Sequence, residues 1–485
     1  MATPPFERAP AGLRARLSTL NRTRQVVQAL LRHGFGSLVD QLGFSDGALS
    51  AGAGPRVSAR LGRRLALTFA DLGPTYVKLG QLLATREDLL PPEVAAELAP
   101  LQDRVAPLPE RVVRQQIEAC LGQPVSVLFS RFDGEPLASA SIAQVHRACT
   151  ADGREVVVKV RRPGIEGVVA EDLALLEQLA VLLEDRVEEL RRLDPRGVAR
   201  AFAESLTGEL DLRREAAAYA RMRQAVGATG RLPEVLEALS GDAVLTLEYL
   251  AGRKVTGVAG PARKALARAV LRSFVRQVLV AGYFHADPHP GNLLALDGGG
   301  IGLLDLGAVG VVTPATREAL VRLAAAGAAR DRRAFGEALL ALTEGGDAVD
   351  VEAFHRDVDQ LLDGILGRRL HDVALAELTA ELFALLRTHG LRVRGDAFVL
   401  VRAVTLLDGV LRSLDPQMEP LRAAAPHVLW ATVQRGELAP AARLGGALAR
   451  ARWRADRRVR SAAAAAGVGL VGLAAVAAAV CAGWL

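Results

Sequence analysis

Three polar side chains between residues 284 and 307 constrain the fold of this 485-residue chain more than any other feature. The segment "FHADPHPGN" places Asp287 and Asn292 five residues apart, and "LLDLG" adds Asp305 one short hairpin later. In such a set one carboxylate can face a hydroxyl or a water, while the amide oxygen and the second carboxylate reach a divalent cation. Two prolines and a glycine keep the first segment out of a helix. A simple turn explains a lone D-x-G. The D-x-x-x-x-N and D-x-G motifs at this spacing together predict a metal-dependent phosphate site.

A β-rich segment begins near Ser126. The Asp152–Gly153 pair between two β-branched runs predicts a hairpin, and we expect three antiparallel strands here. The run "VVVKV", residues 156–160, predicts a strand that carries Lys159. A lysine inside an apolar strand is costly unless its ammonium meets anions. The pattern therefore predicts that Lys159 faces phosphates or a carboxylate.

Acidic partners for that lysine follow in "GELDLRREAAAYARM". We expect two long helices, at 166–193 and 195–226, with Asp194–Pro195 as the N-cap and first residue of the second. That second helix would carry Glu209, Asp211 and Glu215, and the last two are four residues apart on one face. A solvated acidic face explains these residues equally well.

The loop before the lysine strand is poor in glycine. Protein kinases use a glycine-rich loop here because glycine lets backbone N–H groups approach phosphate. This chain has "PLASASIAQVH", and no glycine occurs between Gly134 and Gly153. Ala138, Ser139, Ala140 and Ser141 occupy the loop. We expect an altered nucleotide pose and weak or unusual phosphoryl transfer.

The N-terminal 110 residues predict helices, among them "VKLGQLLATREDLLP" from Val77 to Pro91. Lys78, Gln81 and Thr85 share one face of that helix because they are spaced three and four apart. Taken alone, this face is explained equally by a surface helix whose polar side happens to carry a lysine and a glutamine. Beside the strand lysine, the acidic helix and the catalytic loop, Lys78 and Gln81 predict a lid directed at the nucleotide cleft.

Charge and composition favour a membrane over nucleic acid as partner. The net charge is +6, but aromatic residues make up 4% of the chain, too few for a platform that stacks bases. Residues 461–485 carry no charge and predict a transmembrane helix, although a buried hairpin or a disordered tail is the alternative. Residues 443–460 hold seven arginines and one acid, which predicts that the main body faces the cytoplasm. The three cysteines are far apart and predict no zinc site.

Together these motifs resemble the UbiB family of atypical protein-kinase-like proteins. The match covers about residues 20–425 and includes K-x-G-Q at Lys78 to Gln81, E-x-D at Glu209 to Asp211, and the HADPHPGN loop. The resemblance implies an α+β, two-lobed protein-kinase-like fold with an N-terminal helical extension and a C-terminal membrane helix. Its implied domains are an extension at 1–110, an N-lobe at 111–250, a C-lobe with helical additions at 251–430, a basic juxtamembrane segment at 431–460 and a transmembrane helix at 461–485.

The resemblance also implies a role for each matched residue. The implied catalytic residues are Asp287, Lys159 and Glu215. The implied nucleotide-binding residues are Ala138, Ser139, Ala140, Ser141, Lys159, Glu248, Tyr249 and Leu250. Asn292 and Asp305 would bind Mg²⁺, and the regulatory lid would comprise Lys78, Gln81, Glu209 and Asp211. Three positions depart from the family pattern: Ser139 for alanine, Ala218 for asparagine and Leu306 for phenylalanine.

The implied function is that of a membrane-tethered atypical kinase or ATPase that binds Mg-ATP and supports ubiquinone-type isoprenoid quinone biosynthesis or lipid handling. ATP hydrolysis is expected more than protein phosphorylation. Expected partners are a membrane lipid or isoprenoid quinone precursor and quinone-biosynthesis proteins, with no nucleic acid. The expected location is the cytoplasmic (inner) membrane, with the catalytic domain on the cytoplasmic side. A small-molecule phosphotransferase and a nucleotide-binding pseudokinase scaffold stay open as alternatives.

Overall fold

The structure is a computed structural model that describes residues 13–36, 55–84, 90–101, 105–186, 194–329, 331–345, 349–366, 375–418 and 420–435. It divides into two compact units. The first comprises Met1–Arg214 with Val235–Tyr249, and the second comprises Glu215–Glu234 with Leu250–Leu485.

The predicted membrane helix at 461–485 lies outside the described residues. Within the described ranges, no helix is long and apolar enough to cross a membrane. The predicted basic segment at 431–460 is described only as far as residue 435. Its first residues complete the last described helix, Pro420–Gln434, in which Ala431 and Thr432 are buried.

Helices dominate the N-terminal part of the first unit, as the sequence predicts. The first six helices in the described ranges are α1 (Leu13–Arg32), α2 (Pro55–Leu72), α3 (Pro74–Ala84), α4 (Pro92–Leu98), α5 (Glu110–Leu121) and α6 (Val125–Leu128). Helices α1 to α4 share one apolar core with two later helices, α7 (Ile165–Arg186) and α8 (Pro195–Leu210). This core joins the N-terminal extension to the helices that follow the sheet.

A four-stranded antiparallel sheet forms the rest of the first unit. Its strands, in spatial order, are β1 (Phe129–Ser139), β2 (Ala143–Thr150), β3 (Glu155–Arg161) and β4 (Val244–Glu248). The predicted hairpin is confirmed, and Gly153 at its turn has a φ of +87°. Val156, Val158 and Val160 pack into a second core with helix α5. Because side chains alternate along a strand, Lys159 points away from that core.

The predicted helix over 195–226 is wrong in one respect, since it is two helices. Helix α8 ends at Leu210 and helix α9 spans Leu212–Val226, with Asp211 in an extended conformation between them. The Asp211 side chain accepts the Arg213 N–H at 3.1 Å, so it caps the start of α9. Asp211 and Glu215 therefore do not share one helical face. The predicted cap at Asp194–Pro195 is confirmed, because the Asp194 side chain accepts the Gly197 N–H at 3.0 Å.

The second unit is mainly helical, with short strands around the predicted catalytic loop. Its helices after α9 are α10 (Ala262–Val275), α11 (Pro314–Ala329), α12 (Arg332–Leu340), α13 (Val351–Leu366), α14 (Leu375–Thr388), α15 (Gly395–Leu414) and α16 (Pro420–Gln434). Its strands are β5 (Gly252–Lys254), β6 (Tyr283–His285), β7 (Leu293–Leu296), β8 (Ile301–Leu303), β9 (Val309–Val311), β10 (Thr343–Glu344) and β11 (Arg392–Val393).

Two small sheets hold the catalytic loop at both ends. Strand β6 pairs antiparallel with β9, and β7 pairs with β5 and β8. Helix α10 continues into a π-helical turn, Arg276–Ala281, which ends at Gly282 with a φ of +66°. π-helical turns are uncommon and often lie at functional sites. The loop from residue 286 to 292 thus leaves one fixed strand and enters another.

Candidate active site

His285 anchors the predicted catalytic loop. Its side chain is fully buried, its Nδ1 accepts the Asp287 N–H at 3.3 Å, and its Nε2 lies 3.1 Å from the Leu304 carbonyl oxygen. A carbonyl can only accept, so Nε2 carries the proton and the ring is neutral. Burial lowers the pKa of His285, which favours the same neutral form. The ring therefore links the backbone of Asp287 to that of Leu304, the residue that precedes Asp305.

Asp287 and Asn292 lie at the two ends of the loop, as their spacing predicts. The Asn292 Nδ2 donates to the Asp287 carbonyl oxygen at 3.1 Å, which directs the amide oxygen elsewhere. The Leu304 N–H donates to the Asn292 carbonyl oxygen at 2.8 Å. The Asp287 carboxylate lies 3.8 Å from His289 Nε2. The backbone thus holds both side chains beside the strand that leads to Asp305.

Asp305 has a strained backbone. Its φ is +49°, and apart from Asp194 it is the only described non-glycine residue with a positive φ. Its Oδ1 accepts the Gly307 N–H at 3.2 Å. A non-glycine residue in this region costs about 1–3 kcal/mol and persists where the surroundings enforce it, often at functional sites. The strain marks Asp305 as a residue whose side-chain position matters.

Tyr219 is a member of this site that the sequence reasoning missed. It lies one helical turn after Glu215 on α9 and is fully buried beside the backbone of Asp305 and Leu306. Burial raises the pKa of Tyr219, and the carboxylates of Glu215 and Asp305 raise it further. Tyr219 therefore packs against the D-x-G segment inside the second unit.

The two predicted metal ligands have the chemistry that Mg²⁺ requires. An amide oxygen from Asn292 and a carboxylate from Asp305 are hard oxygen donors, and Mg²⁺ commonly takes one or two such donors together with waters and substrate phosphates. Among the described residues, no group of three or more His, Cys, Asp or Glu side chains is arranged to hold a metal ion. Two oxygen donors of this kind fit an ion that binds together with phosphate.

The alanine-rich loop in the first unit is a tight turn without glycine. Ala138 and Ser139 end strand β1, and the Ala140 N–H donates to the Ala143 carbonyl oxygen at 2.9 Å. The backbone from Ala138 to Ser141 avoids positive φ. Residues with a Cβ can therefore form this turn, and the chain has no conformational need for the glycines of an ordinary kinase loop.

Arg162 holds that loop in place, which the sequence reasoning also missed. Its guanidinium donates to the Ala140 carbonyl oxygen at 2.8 Å, to Ser139 Oγ at 2.8 Å and to the Ala106 carbonyl oxygen at 3.0 Å. Its backbone N–H donates to the Ile142 carbonyl oxygen at 2.8 Å. The Ser139 hydroxyl is thus engaged as an acceptor.

Lys159 lies on strand β3, and the predicted adenine-facing residues Glu248 to Leu250 begin at the last residue of β4. Lys159 is half-buried and pairs in register with Val145 and Leu245. The Tyr249 N–H donates to the Glu155 carbonyl oxygen at 3.0 Å, directly after the end of β4 at Glu248. The division between the compact units falls between Tyr249 and Leu250. The predicted pairing of Lys159 with Glu215 joins the two units and stays a prediction.

The predicted lid contact is present for one of its two pairs. Lys78 Nζ lies 2.7 Å from Glu209 Oε2, which links helix α3 to helix α8. Gln81 instead donates to the Leu101 carbonyl oxygen at 3.0 Å. Asp211 accepts both the N–H and the Nε–H of Arg213, at 3.1 Å each. These local partners explain why Gln81 and Asp211 do not form the second contact.

Gly80 is required by close packing on the extension itself. A Cβ at this position would collide with the Leu101 side chain and lie 2.8 Å from Phe69 Cδ2. The close approach that Gly80 permits is thus made to Phe69 and Leu101 within the extension itself.

Comparison with known proteins matches these motifs to characterised families. A model of the ABC1 atypical kinase-like domain matches residues 100–339, and a model of the UbiB helical domain matches residues 358–419. A probable protein kinase UbiB from Xylella fastidiosa (strain M12) is 35% identical over 390 residues, which cover 77% of this chain and 71% of the relative. The chain belongs to the UbiB family. A probable protein kinase UbiB from Aeromonas hydrophila subsp. hydrophila is 36% identical over 382 residues, which cover 76% of this chain and 69% of the relative.

Among solved structures, a Mycobacterium tuberculosis protein in complex with erythromycin matches with a TM-score of 0.46 and 23% identity. The match covers 74% of this chain and 93% of that one. Membership of the UbiB family confirms the resemblance drawn from the motifs and gives the chain a protein-kinase-like α+β fold. The matched kinase-like domain contains the catalytic loop, the lysine strand and the acidic helices. Helices α13 to α15 fall largely within the UbiB helical domain.

Proposed function

We propose that this protein is a membrane-tethered atypical kinase or ATPase that binds Mg-ATP. The observation that carries the proposal is the loop that His285 fixes between Asp287 and the strand leading to Asp305. Its buried neutral ring holds the backbone of Asp287 and of Leu304, which precedes Asp305, and Asn292 bonds the Asp287 carbonyl oxygen. Two carboxylates and one amide then follow one another in the chain order of a phosphoryl-transfer site. Membership of a family with an atypical kinase-like domain supports the same reaction class.

Asp287 would orient the attacking hydroxyl or water, and Asn292 and Asp305 would hold Mg²⁺ against the phosphates. When bound, the ion neutralises charge on the phosphate oxygens. The protein's own part is to keep these side chains in place before substrate arrives. The bond from Asn292 Nδ2 to the Asp287 carbonyl oxygen and the strained backbone at Asp305 support this fixed arrangement.

Residues on strands β1, β3 and β4 and in the segments beside them would bind the rest of the nucleotide. Lys159 would contact the phosphates and pair with Glu215, and the loop from Ala138 to Ser141 would cover the phosphates. Glu248 to Leu250 would face the adenine. Arg162 supports a rigid loop, because its bonds to Ser139 and Ala140 restrict any rearrangement toward phosphate. Such a loop favours slow or unusual phosphoryl transfer.

The extension would restrain the reaction through the Lys78–Glu209 ion pair. Both side chains are partly shielded from water, with exposed fractions of 18% and 32%. A lid held in this way would exclude large acceptors such as proteins. ATP hydrolysis, or transfer to a small acceptor, would then be the main activity.

We further propose that the protein acts at the cytoplasmic face of the inner membrane in support of isoprenoid quinone biosynthesis. The uncharged segment at 461–485 and the arginines before it support tethering. Family membership supports the link to ubiquinone-type quinones. The partners would be an isoprenoid quinone precursor or membrane lipid and other quinone-biosynthesis proteins.

ATP turnover by the purified protein tests the reaction class. Asp287→Asn should lower ATP hydrolysis by about 10²-fold or more, the usual contribution of a positioned acid or base, while nucleotide binding is retained. Asp297→Asn, in the exposed turn between β7 and β8, is the matched control and should change neither. Equal turnover by wild type and Asp287→Asn would contradict the assignment.

Lipid extracts of cells test the biological role. Cells that carry Asp287→Asn should lack the quinone and accumulate a precursor, and an unchanged quinone pool would remove the biosynthetic assignment. Full rescue of a deletion strain by Asp287→Asn would favour the pseudokinase scaffold. Phosphate transfer to a soluble acceptor without lipid dependence would favour the small-molecule phosphotransferase.

A further inference from the structure

An apolar cavity of about 270 Å³ lies inside the first compact unit, and its lining residues are not among those assigned to the nucleotide. Helices α1, α2 and α3 of the extension form one part of its wall. Helices α7 and α8 form most of the rest, and Leu90, just before α4, completes it. The cavity therefore lies between the N-terminal extension and the two helices that follow the sheet, within the apolar core that they share.

The lining is chemically suited to hydrocarbon. Its atoms are almost all apolar, and leucine is the commonest lining residue. The hydroxyl of Thr68, one of its few polar groups, already donates to the Arg64 carbonyl oxygen at 2.8 Å. A water molecule needs two to four polar partners, so water gains little here. A peptide segment would bring backbone groups that the lining cannot hydrogen-bond, whereas a hydrocarbon chain brings none.

The size of the cavity also limits its ligand. An apolar cavity of about 150 Å³ can hold benzene, so this larger space has room for several branched or linear carbon units. An empty cavity of this size would be costly, because its lining loses van der Waals contacts. A slender apolar ligand that fills the space would regain them.

The cavity lies directly beside the proposed lid. Helix α3 contributes Tyr76 and Leu79 to the wall, while Lys78 on another side of the helix contacts Glu209. Glu209 belongs to helix α8, which contributes Phe202 to the same wall. A ligand between α3 and α8 would therefore act on the two helices that the ion pair connects.

We propose that this cavity binds the hydrocarbon tail of an amphiphilic lipid. The tail enters between the extension and helices α7 and α8, and its occupancy sets the distance between α3 and α8. Isoprenoid and acyl tails share this chemistry. The site is separate from the nucleotide site, and the proposal stands on the cavity without requiring ATP turnover.

Photo-crosslinking of the full-length protein in phosphatidylcholine vesicles tests the proposal. A diazirine-bearing farnesol analogue and a diazirine-bearing hexadecanoic acid serve as the two probes, and labelled peptides are mapped by mass spectrometry. We expect labelling within Pro74–Ala84 and Pro195–Leu210, competed by excess unlabelled tail. Stronger labelling by the first probe would identify an isoprenoid source, and stronger labelling by the second an acyl source.

Helix α8 offers a matched pair of variants. Ala199 lines the cavity and Ala201, on the same helix, is exposed. Ala199→Phe fills the space and should reduce labelling of both helices about tenfold, whereas Ala201→Phe should leave it unchanged. Should Ala199→Phe fail to fold, Ala199→Leu should give a smaller reduction in the same direction. Absence of labelling in both helices, or equal labelling in Ala199 and Ala201 variants, would overturn the proposal whatever the ATPase results are.

Discussion

The ion pair between Arg22 and Asp172 should be the most sensitive single contact of the N-terminal extension. Arg22 on α1 contacts the two carboxylate oxygens of Asp172 on α7 at 2.6 and 3.1 Å and donates to the Leu72 carbonyl oxygen at 2.6 Å. Asp172 is fully buried. Arg22→Met removes all three charged contacts and leaves a buried carboxylate without its cation.

Breaking a buried pair in this way costs about 3–5 kcal/mol. For a domain of about 150–250 residues, each kcal/mol lowers the melting temperature by about 2–4 °C, so a fall of roughly 6–20 °C is expected. Thermal and urea unfolding at pH 7, followed by circular dichroism, measures the change. Adding Asp172→Leu should restore most of the loss, because it removes the stranded charge.

Arg32→Met is the matched control. Arg32 lies on the same helix and contacts Asp71 at 2.8 Å, but both side chains are well exposed. An exposed pair contributes at most about 1 kcal/mol. Equal losses for Arg22→Met and Arg32→Met, or a double variant less stable than Arg22→Met, would refute the reasoning.

Three further predictions concern the lid, the catalytic loop and the alanine-rich loop. Lys78→Ala should cost no more than about 1 kcal/mol of stability but should change nucleotide affinity and autophosphorylation. If both stay unchanged, the Lys78 face of α3 is an ordinary surface face. Burial lowers the pKa of His285 below 6.5, so the neutral ring's contribution to stability is complete above that pH and is lost as the pH falls toward the lowered pKa. His285→Asn should therefore flatten this part of the curve of unfolding free energy against pH, and an unchanged slope would contradict the prediction. Arg162→Lys keeps the charge but loses the planar fork that bonds Ser139 and Ala140, and like Arg162→Ala it should weaken ATP binding about tenfold. Wild-type affinity in Arg162→Lys would show that charge alone is needed.

The strands and caps could be predicted from the sequence because their signals are local. The Asp152–Gly153 turn and the alternation around Lys159 are complete within about ten residues. The spacing of Asp287, Asn292 and Asp305 likewise reflects one hairpin. Local patterns of this kind need no knowledge of distant contacts.

The break at Asp211 could not be predicted, because distant groups cause it. The sequence around it has helical periodicity and no proline. In the structure, the Leu212 N–H donates to the Asp242 carbonyl oxygen at 3.0 Å, and Arg161 donates to the Leu210 carbonyl oxygen. These partners satisfy backbone groups that an unbroken helix would otherwise pair internally.

Arg162 and the apolar cavity were missed for the same reason. The side-chain partners of Arg162 lie 22 to 56 residues away along the chain. The cavity depends on how five helices pack, which their separate patterns do not encode. His285 lies inside the segment FHADPHPGN, two residues before Asp287. That proximity is the sequence signal that could have indicated its supporting role.

Magnesium-dependent ATP binding tests the central claim most directly. Titration of the purified full-length protein with ATP, with and without Mg²⁺, should show tight binding only with the metal. Asp305→Asn should remove most of that dependence and weaken Mg-ATP binding at least about tenfold, whereas Asp297→Asn should match the wild type. Failure of the wild type to bind Mg-ATP, or unchanged binding by Asp305→Asn, would contradict the assignment of this site.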